Sequence, residues 1–225
     1  MKLAIFDFDG TLLNNDTLPS LAKSWYQQQR SRTTYYRVLT YVMPIIIGYR
    51  MHLVSQLTMK QQTMERFVHI FKGMHRSEIQ EFFHESYDYL AGFFNPLVLD
   101  ELERVKQAGF KTVLLSGAYQ DLLDIVAEKI GIELVIGSEI PFDQAGVIDL
   151  GNKVPGVLGE NKFQMLTRYF NSSEIDWADT YSYADSFTDL SILEPAGFPV
   201  MVNPDDNLRT YGVKRGWRLL EDKVI

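Results

Sequence analysis

The sequence predicts an α/β protein in which a helical segment interrupts a core built on a parallel sheet. In the core, short apolar runs alternate with stretches of helical periodicity, which is typical of βαβ units. Residues 14–95 instead show only helical spacing of their apolar positions. We therefore predict a core domain formed by residues 1–13 and 96–225. An α-helical cap domain, residues 14–95, is inserted after the first strand.

Apolar runs bounded by turn residues predict the core strands: residues 2–8, 111–115, 134–136, 180–184 and 199–202. Helical periodicity predicts the elements between them: residues 97–108, 120–130, 160–170 and 189–193. Residues 205–211 are expected to close the sheet. Prolines and glycines within residues 139–159 predict a hairpin or flap.

The predicted cap contains helical spacing over residues 18–29, 59–72 and 77–94. Between them, residues 34–57 are rich in aromatic and aliphatic side chains. We expect Pro44 and Gly48 to break the helix there, because both residues are unfavourable inside a helix.

The composition is that of an ordinary globular protein, with 46% hydrophobic and 23% charged residues in a chain of 225. The absence of cysteine excludes disulfides and thiolate metal sites. Acidic residues interrupt the N-terminal apolar run after four residues, so no secretory signal is predicted. No stretch of about 18 uncharged apolar residues occurs, so we predict no transmembrane helix and expect a cytoplasmic protein.

The net charge of −7 is distributed unevenly along the chain. Residues 17–95 carry nine basic and five acidic residues, and no acidic residue occurs between residues 17 and 64. A basic unit within an acidic protein indicates that the unit faces something anionic. Nucleic acid is not the expected partner, because the chain is acidic overall and the basic segment contains long aliphatic runs rather than a nucleic-acid-binding motif.

Two aspartates come directly after the first predicted strand. Asp7 and Asp9 are two residues apart, so their side chains point to the same side of an extended chain. At the carboxyl end of a strand they would enter the crevice where open α/β sheets bind ligands, and Gly10 would let the chain turn there. Such carboxylates suit Mg²⁺ with a phosphate beside it.

Other predicted strands also end in polar groups. Ser116 and Gly117 lie between a strand and a helix, where a hydroxyl and free backbone N–H groups can bind phosphate. Lys162 lies in the first turn of a predicted helix, which is unfavourable for the helix dipole unless an anion lies in front of it. Lys153, inside the predicted flap, is the nearest alternative.

Asp185 and Asp189 follow the strand at residues 180–184 and share a side if the chain is helical there. With the D-x-D-G-T-L sequence of residues 7–12, they resemble the fourth and first motifs of the haloacid dehalogenase superfamily, most of whose members are phosphatases. Ser116 and Lys162 resemble its second and third motifs, in the right order.

The resemblance extends over residues 1–13 and 96–216 and implies a Rossmann-like sheet. The helical insertion after the first motif resembles subfamily I, and in particular its phosphoserine-phosphatase-like branch, subfamily IB. The resemblance implies a Mg²⁺-dependent phosphatase that hydrolyses a small-molecule phosphomonoester.

It also implies roles for individual residues. Asp7 would attack phosphorus and form an aspartyl-phosphate, while Asp9 would protonate the leaving oxygen and later take a proton from water. Mg²⁺ would be held by Asp7, the backbone carbonyl of Asp9 and Asp185.

The remaining motif residues would surround the phosphate. Ser116, Gly117 and Lys162 would bind its oxygens. Asp189 would orient Lys162 or a metal-bound water. Thr11, assigned to the same phosphate-binding group, would hold Asp9 in place.

The cap bears on the substrate. Asp16 occupies the position where phosphoserine phosphatases have a glutamate that binds the ammonium group of the substrate, so an ester with a small cationic group is one candidate. The alternative is that Asp16 only caps the first cap helix.

Residues 35–57 favour a second possibility. They contain four tyrosines, Arg37, Arg50 and no acidic residue, a pattern typical of a helix at a membrane surface. The alternative function is therefore a lipid-phosphate phosphatase, similar to the phosphatidylglycerophosphate phosphatases. We favour a packed role for this segment, because a helical cap requires an apolar core.

A phosphotransferase or mutase using the same aspartyl-phosphate is a further alternative, and the oligomeric state stays open.

Overall fold

The structure, a computed structural model, describes residues 1–221. Its strands are β1 (Leu3–Phe6), β2 (Lys111–Tyr119), β3 (Leu134–Ser138), β4 (Tyr181–Ala184), β5 (Phe198–Val202) and β6 (Arg218–Leu220). Its helices are α1 (Thr17–Gln27), α2 (Arg32–Arg50), α3 (Gln56–Phe67), α4 (Arg76–Ala91), α5 (Pro96–Gln107), α6 (Gln120–Ile130), α7 (Glu160–Tyr169), α8 (Leu190–Leu193) and α9 (Asp206–Val213). Short 3₁₀ turns cover Val68–Phe71, Ser172–Glu174, Trp177–Asp179 and Phe187–Asp189.

The strands form one parallel sheet in the order β3-β2-β1-β4-β5-β6. This confirms the predicted α/β class with a parallel sheet. β1 lies between β2 and β4, and all four of its residues are buried because helices cover both faces of the sheet. The chain order reverses across β1 and β4, so the carboxyl ends of these strands border the crevice where such sheets bind ligands.

The edge of the sheet differs from the prediction. Residues 205–211 do not close the sheet, because they belong to helix α9, which Asp205 caps by accepting a hydrogen bond from the N–H of Leu208 at 2.8 Å. The closing strand is β6, which pairs with β5. β6 is only three residues long and two of them are exposed, so its sequence carried too short a pattern to indicate a strand.

Helix α2 also differs from the prediction, because it continues through both Pro44 and Gly48. Pro44 is exposed, so the carbonyl of Thr40, which loses its helical donor, lies on the solvent side of the helix. Packing supports only one side of α2: Val38 and Val42 are buried. The expected apolar core role of this segment is therefore confirmed for one face and wrong for the other.

Residues 17–91 contain helices α1 to α4 and one 3₁₀ turn, with no strand among them. The chain enters and leaves this segment side by side. The N–H of Asn14 donates to the carbonyl of Phe93, and the N–H of Asn95 donates to the carbonyl of Leu12, both at 2.9 Å. The division into core and cap domains stays a prediction, and residues 222–225 of the predicted core lie outside the described residues. Among residues 1–221, none of the helices is long and apolar enough to cross a membrane.

The helical segment is fastened to the sheet at α4. The guanidinium of Arg76 donates to Asp121 of α6 at 2.9 Å, and the N–H of Ile148 donates to the carbonyl of Met74 at 3.0 Å. The second bond comes from the predicted hairpin, where Phe142 bridges Ile148. A continuous buried apolar cluster also joins the two parts.

Candidate active site

Asp7 lies at the carboxyl end of β1 and is buried. Lys162, in the first turn of α7, donates from Nζ to Oδ1 of Asp7 and to Oδ1 of Asp189, each at 2.7 Å. Burial disfavours the ammonium, but the carboxylates of Asp189 and Asp7 outweigh this effect and raise the pKa of Lys162. The lysine is therefore held as a cation between two carboxylates, and Lys153 is not part of this network.

Asp7, Asp185 and Asp189 form a cluster of carboxylates whose ligand oxygens lie within 4.8 Å of one another. Burial and the charge of Asp7 raise the pKa of Asp185, and burial likewise raises the pKa of Asp189. Oδ1 of Asp185 is buried without a hydrogen-bond partner among the described residues. Crowded hard oxygen donors, one of them unpaired, fit a divalent cation such as Mg²⁺.

Gly10 allows the loop after β1 to lie close to Asp185, in the loop after β4. Gly10 has a φ of +77°, and a Cβ built on it would lie 2.2 Å from Oδ2 of Asp185. Any side chain at residue 10 would therefore displace the carboxylate that follows β4.

Asp9 does not join the carboxylate cluster, because its side chain is turned toward the first cap helix. Oδ1 of Asp9 accepts the backbone N–H of Thr17 at 2.7 Å and also the hydroxyl of Thr17. Burial raises the pKa of Asp9 to about 7, although the hydrogen bond from Thr17 opposes this shift. Metal binding through the backbone carbonyl of Asp9 stays a prediction.

The expected role of Thr11 is wrong. Thr11 is buried, and its hydroxyl has no hydrogen-bond partner within residues 1–221. Thr17, the first residue of α1, holds Asp9 instead through its N–H and its hydroxyl. Thr17 is therefore a site residue that no sequence motif indicated.

Ser116 and Gly117 lie in the last part of β2, which extends beyond the predicted strand at residues 111–115. Ser116 is buried, and its Oγ accepts the N–H of Ala118 at 3.2 Å. A Cβ at Gly117 would lie 2.4 Å from the side chain of Leu158, so glycine allows the flap to pass close to the strand.

A cavity of about 530 Å³ joins these elements. Its walls contain all of the predicted site residues except Thr11: Asp7, Asp9, Asp16, Ser116, Gly117, Lys162, Asp185 and Asp189. Asp16 occupies the N-cap position of α1, but its side chain makes no capping hydrogen bond in the described part of the chain. The capping alternative is therefore wrong, and the exposed carboxylate of Asp16 is available at the cavity wall.

Lys60 of α3 is a site residue that the sequence analysis missed. It lines the cavity, and although burial lowers its pKa, the charges of Asp7 and Asp189 outweigh this effect and raise the pKa of Lys60. The available signal was weak: Lys60 is the only Lys, Arg, Asp or Glu between residues 51 and 64. Helix α3 thus contributes a second cation that interacts with the carboxylate cluster.

Comparison with known families agrees with this geometry. The family model of the haloacid dehalogenase-like hydrolases matches residues 4–194. The chain belongs to this family. The match includes every motif residue of the site, from Asp7 to Asp189, and confirms the predicted resemblance.

Related proteins cover nearly the whole chain at low identity. The chain is 25% identical to the inhibition of morphological differentiation protein of Streptomyces azureus over 97% of its length and 77% of the relative. It is also 25% identical to a histidinol-phosphatase of Neisseria meningitidis, covering 99% of both chains. The structure of a phosphoserine phosphatase with a phospho-aspartyl intermediate analogue superposes with a TM-score of 0.64 at 18% identity, covering 99% of this chain and 93% of that one.

Proposed function

We propose that this hydrolase is a phosphatase that cleaves small-molecule phosphomonoesters through an aspartyl-phosphate on Asp7. The observation that carries the proposal is the arrangement of Asp7, Lys162 and Asp189 at the carboxyl end of the sheet, with Asp9 two residues away. The names of two relatives, a histidinol-phosphatase and a phosphoserine phosphatase, support the same reaction class.

Asp7 acts as the nucleophile. The ammonium of Lys162, 2.7 Å from Oδ1, stabilises the carboxylate anion and fixes its orientation. Attack forms a bond between a carboxylate oxygen of Asp7 and phosphorus, and the bond from phosphorus to the ester oxygen breaks. The carboxylate of Asp189 also binds the ammonium of Lys162 and fixes its position next to Asp7. There the ammonium stabilises the negative charge that develops on the phosphate oxygens in the transition state.

Asp9 acts as the general acid and then as the general base. A pKa of about 7 lets a carboxyl group carry a proton near neutral pH and pass it to the leaving oxygen. In the second step, Asp9 takes a proton from water as the water oxygen attacks phosphorus. Inorganic phosphate is released and the carboxylate of Asp7 is restored.

Asp7 and Asp185, with Asp189 beside them, would hold Mg²⁺, which when bound supplies positive charge where a phosphate meets carboxylates. Ser116, which lines the cavity, binds the phosphate oxygens together with Lys162.

The substrate carries a small cationic group. Histidinol phosphate and phosphoserine, after which the two relatives are named, both contain an amine. Asp16 presents an uncapped carboxylate to the same cavity as the phosphate-binding residues, so it can bind an ammonium group.

Steady-state kinetics with phosphoserine, histidinol phosphate, a sugar phosphate and an aryl phosphate test this function in the presence of Mg²⁺. We expect Asp16→Asn to raise the KM for the amine-bearing esters, relative to the amine-free ones, by about 10-fold or more, because a charge-assisted hydrogen bond is lost. Asp100→Asn, an exposed acid on α5, is the matched control and should leave this ratio unchanged. If the enzyme hydrolysed none of the four esters, the phosphatase function itself would be contradicted.

A further inference from the structure

One side of α2 presents apolar side chains to solvent. Tyr36, Met43 and Ile47 are spaced at intervals of seven and four residues, so they project from the same side of the helix, and all are exposed. Beyond the end of the helix the exposed surface continues at Met51 and Leu53, which are 63% and 72% exposed. We name these five residues the α2 face.

Another helix of the same segment has an ordinary solvent side. The exposed positions of α4 are polar or charged, for example Glu81, Glu85 and Asp88. An apolar stripe facing water over the length of α2 is therefore a specific feature of this helix, and exposed patches of this kind mark interaction surfaces.

The charged residues of α2 are all basic. Arg32, Arg37 and Arg50 are exposed, and none of them forms an ion pair with the acidic residues of the described chain. No acidic residue occurs between residues 17 and 64, whereas the chain as a whole is acidic. The guanidinium of Arg32 also lies 5.3 Å from the ring centre of exposed Tyr26, which extends the aromatic and basic character of this side.

The same helix forms a wall of the catalytic cavity. Ile46, Tyr49 and Arg50 line the cavity, while Met43 and Ile47 belong to the α2 face. A partner that covers the α2 face would therefore lie directly beside this wall of the cavity.

We propose that the α2 face docks on an anionic lipid surface. Apolar and aromatic side chains would enter the headgroup region, and the unpaired arginines would bind anionic headgroups, as in helices that lie in a membrane interface. A second copy of this chain is a poorer occupant, because a symmetric contact would place the arginines of one copy against those of the other. This docking is independent of the phosphatase reaction.

Co-sedimentation with vesicles tests the docking directly. The wild type should bind vesicles that contain phosphatidylglycerol and bind pure phosphatidylcholine vesicles at least about 10-fold more weakly. The triple variant Tyr36→Ser, Met43→Ser, Ile47→Ser should bind the anionic vesicles at least about 10-fold more weakly than the wild type. The matched control Tyr169→Ser, Phe198→Ser, Val213→Ser removes exposed apolar side chains elsewhere and should bind normally.

Charge variants separate the electrostatic contribution. Arg32→Gln with Arg37→Gln should weaken binding about 30-fold, whereas Arg168→Gln with Lys214→Gln, which removes the same charge from other surfaces, should not. Thermal unfolding of each variant confirms that it is folded. Absence of wild-type binding, equal binding by the α2 triple variant, or a wild-type dimer that this variant abolishes would each overturn the proposal.

Discussion

At the residue scale, two opposing influences set the acidity of Asp9. Burial disfavours the carboxylate and raises its pKa to about 7, while the hydrogen bonds from Thr17 stabilise the carboxylate and lower the pKa. Thr17 is the first residue of α1, so the protonation of Asp9, in the loop after β1, depends on where helix α1 begins.

Thr17→Val should therefore change the pH profile in a defined direction. Loss of the hydroxyl leaves the carboxylate less stabilised, so the pKa of Asp9 rises and the protonated acid persists to higher pH. We expect the alkaline limb of the plot of kcat against pH to shift to higher pH. The maximal kcat should fall, because the carboxyl group of Asp9 is less well oriented. Thr17→Ser retains the hydroxyl and should keep the wild-type profile. An unchanged limb in the valine variant would show that Thr17 does not influence Asp9.

A second prediction at this scale concerns Lys60. Its ammonium partly offsets the charge of Asp7, Asp189 and Asp185, so its removal leaves a more negative cavity for an arriving phosphate. Lys60→Gln should raise the inhibition constant of inorganic phosphate about 10-fold. Lys153→Gln removes an exposed flap lysine and serves as the control. Equal effects of the two substitutions would mean that only the overall charge matters.

At the scale of elements, α2 shows how a helix tolerates residues that usually end it. Pro44 lies inside the helix at an exposed position, and Gly48 lies where a Cβ would make only an ordinary 3.8 Å contact with Val54. Neither residue is required by a close approach or by a positive φ. Both are therefore positions where an alanine would fit the backbone as it stands.

Pro44→Ala should raise the free energy of unfolding by about 1–3 kcal/mol, because it restores a helical N–H donor and relieves the clash of the ring with the preceding turn. Gly48→Ala should raise it by up to about 1 kcal/mol. Denaturant unfolding of both variants measures the effect. A decrease in stability for Pro44→Ala would show that the proline stabilises α2, which would contradict our expectation that alanine fits the helical backbone at this position.

At the scale of the whole molecule, Glu101 joins elements that are far apart in the sequence. It accepts hydrogen bonds from Arg218 of β6, from Arg104 of its own helix α5, and from the hydroxyl of Tyr183 of β4. Burial favours the neutral form, but these hydrogen bonds outweigh it and lower the pKa of Glu101 to about 2. The edge strand β6 is thereby tied to the centre of the fold.

Glu101→Gln should lower the free energy of unfolding by about 2 kcal/mol at neutral pH, allowing for the partial exposure of both arginines. Because the pKa is depressed in the folded state, this contribution is present above about pH 4.5 and is lost as the pH falls toward 2. The difference between wild type and variant should therefore shrink over that window. Glu103→Gln, an exposed neighbour paired with Lys106, should show neither effect.

The site residues could be predicted from the sequence more completely than the edge strand of the sheet. Asp7, Ser116 and Asp185 could be predicted because each follows an apolar run, and parallel strands bring their carboxyl ends together. β6 could not, because three residues, two of them exposed, are too few to form a recognisable strand pattern.

Contacts between segments that are far apart in the chain could not be predicted from the sequence either. Lys60 of α3 and Thr17 of α1 reach the site only because these helices pack next to the catalytic carboxylates, and no spacing within either helix indicates that arrangement. Thr11 was assigned to Asp9 because the two residues are close in the sequence, but the hydroxyl of Thr11 has no hydrogen-bond partner within residues 1–221.

The central claim is that Asp7 becomes covalently phosphorylated during turnover. The most direct measurement is mass spectrometry of enzyme quenched in acid while it hydrolyses an aryl phosphate with Mg²⁺ present. The proposed mechanism predicts one additional phosphoryl group on the peptide that contains Asp7, and none in Asp7→Asn, which should also lose activity. Turnover by Asp7→Asn at the wild-type rate, or phosphorylation at another residue, would contradict the mechanism.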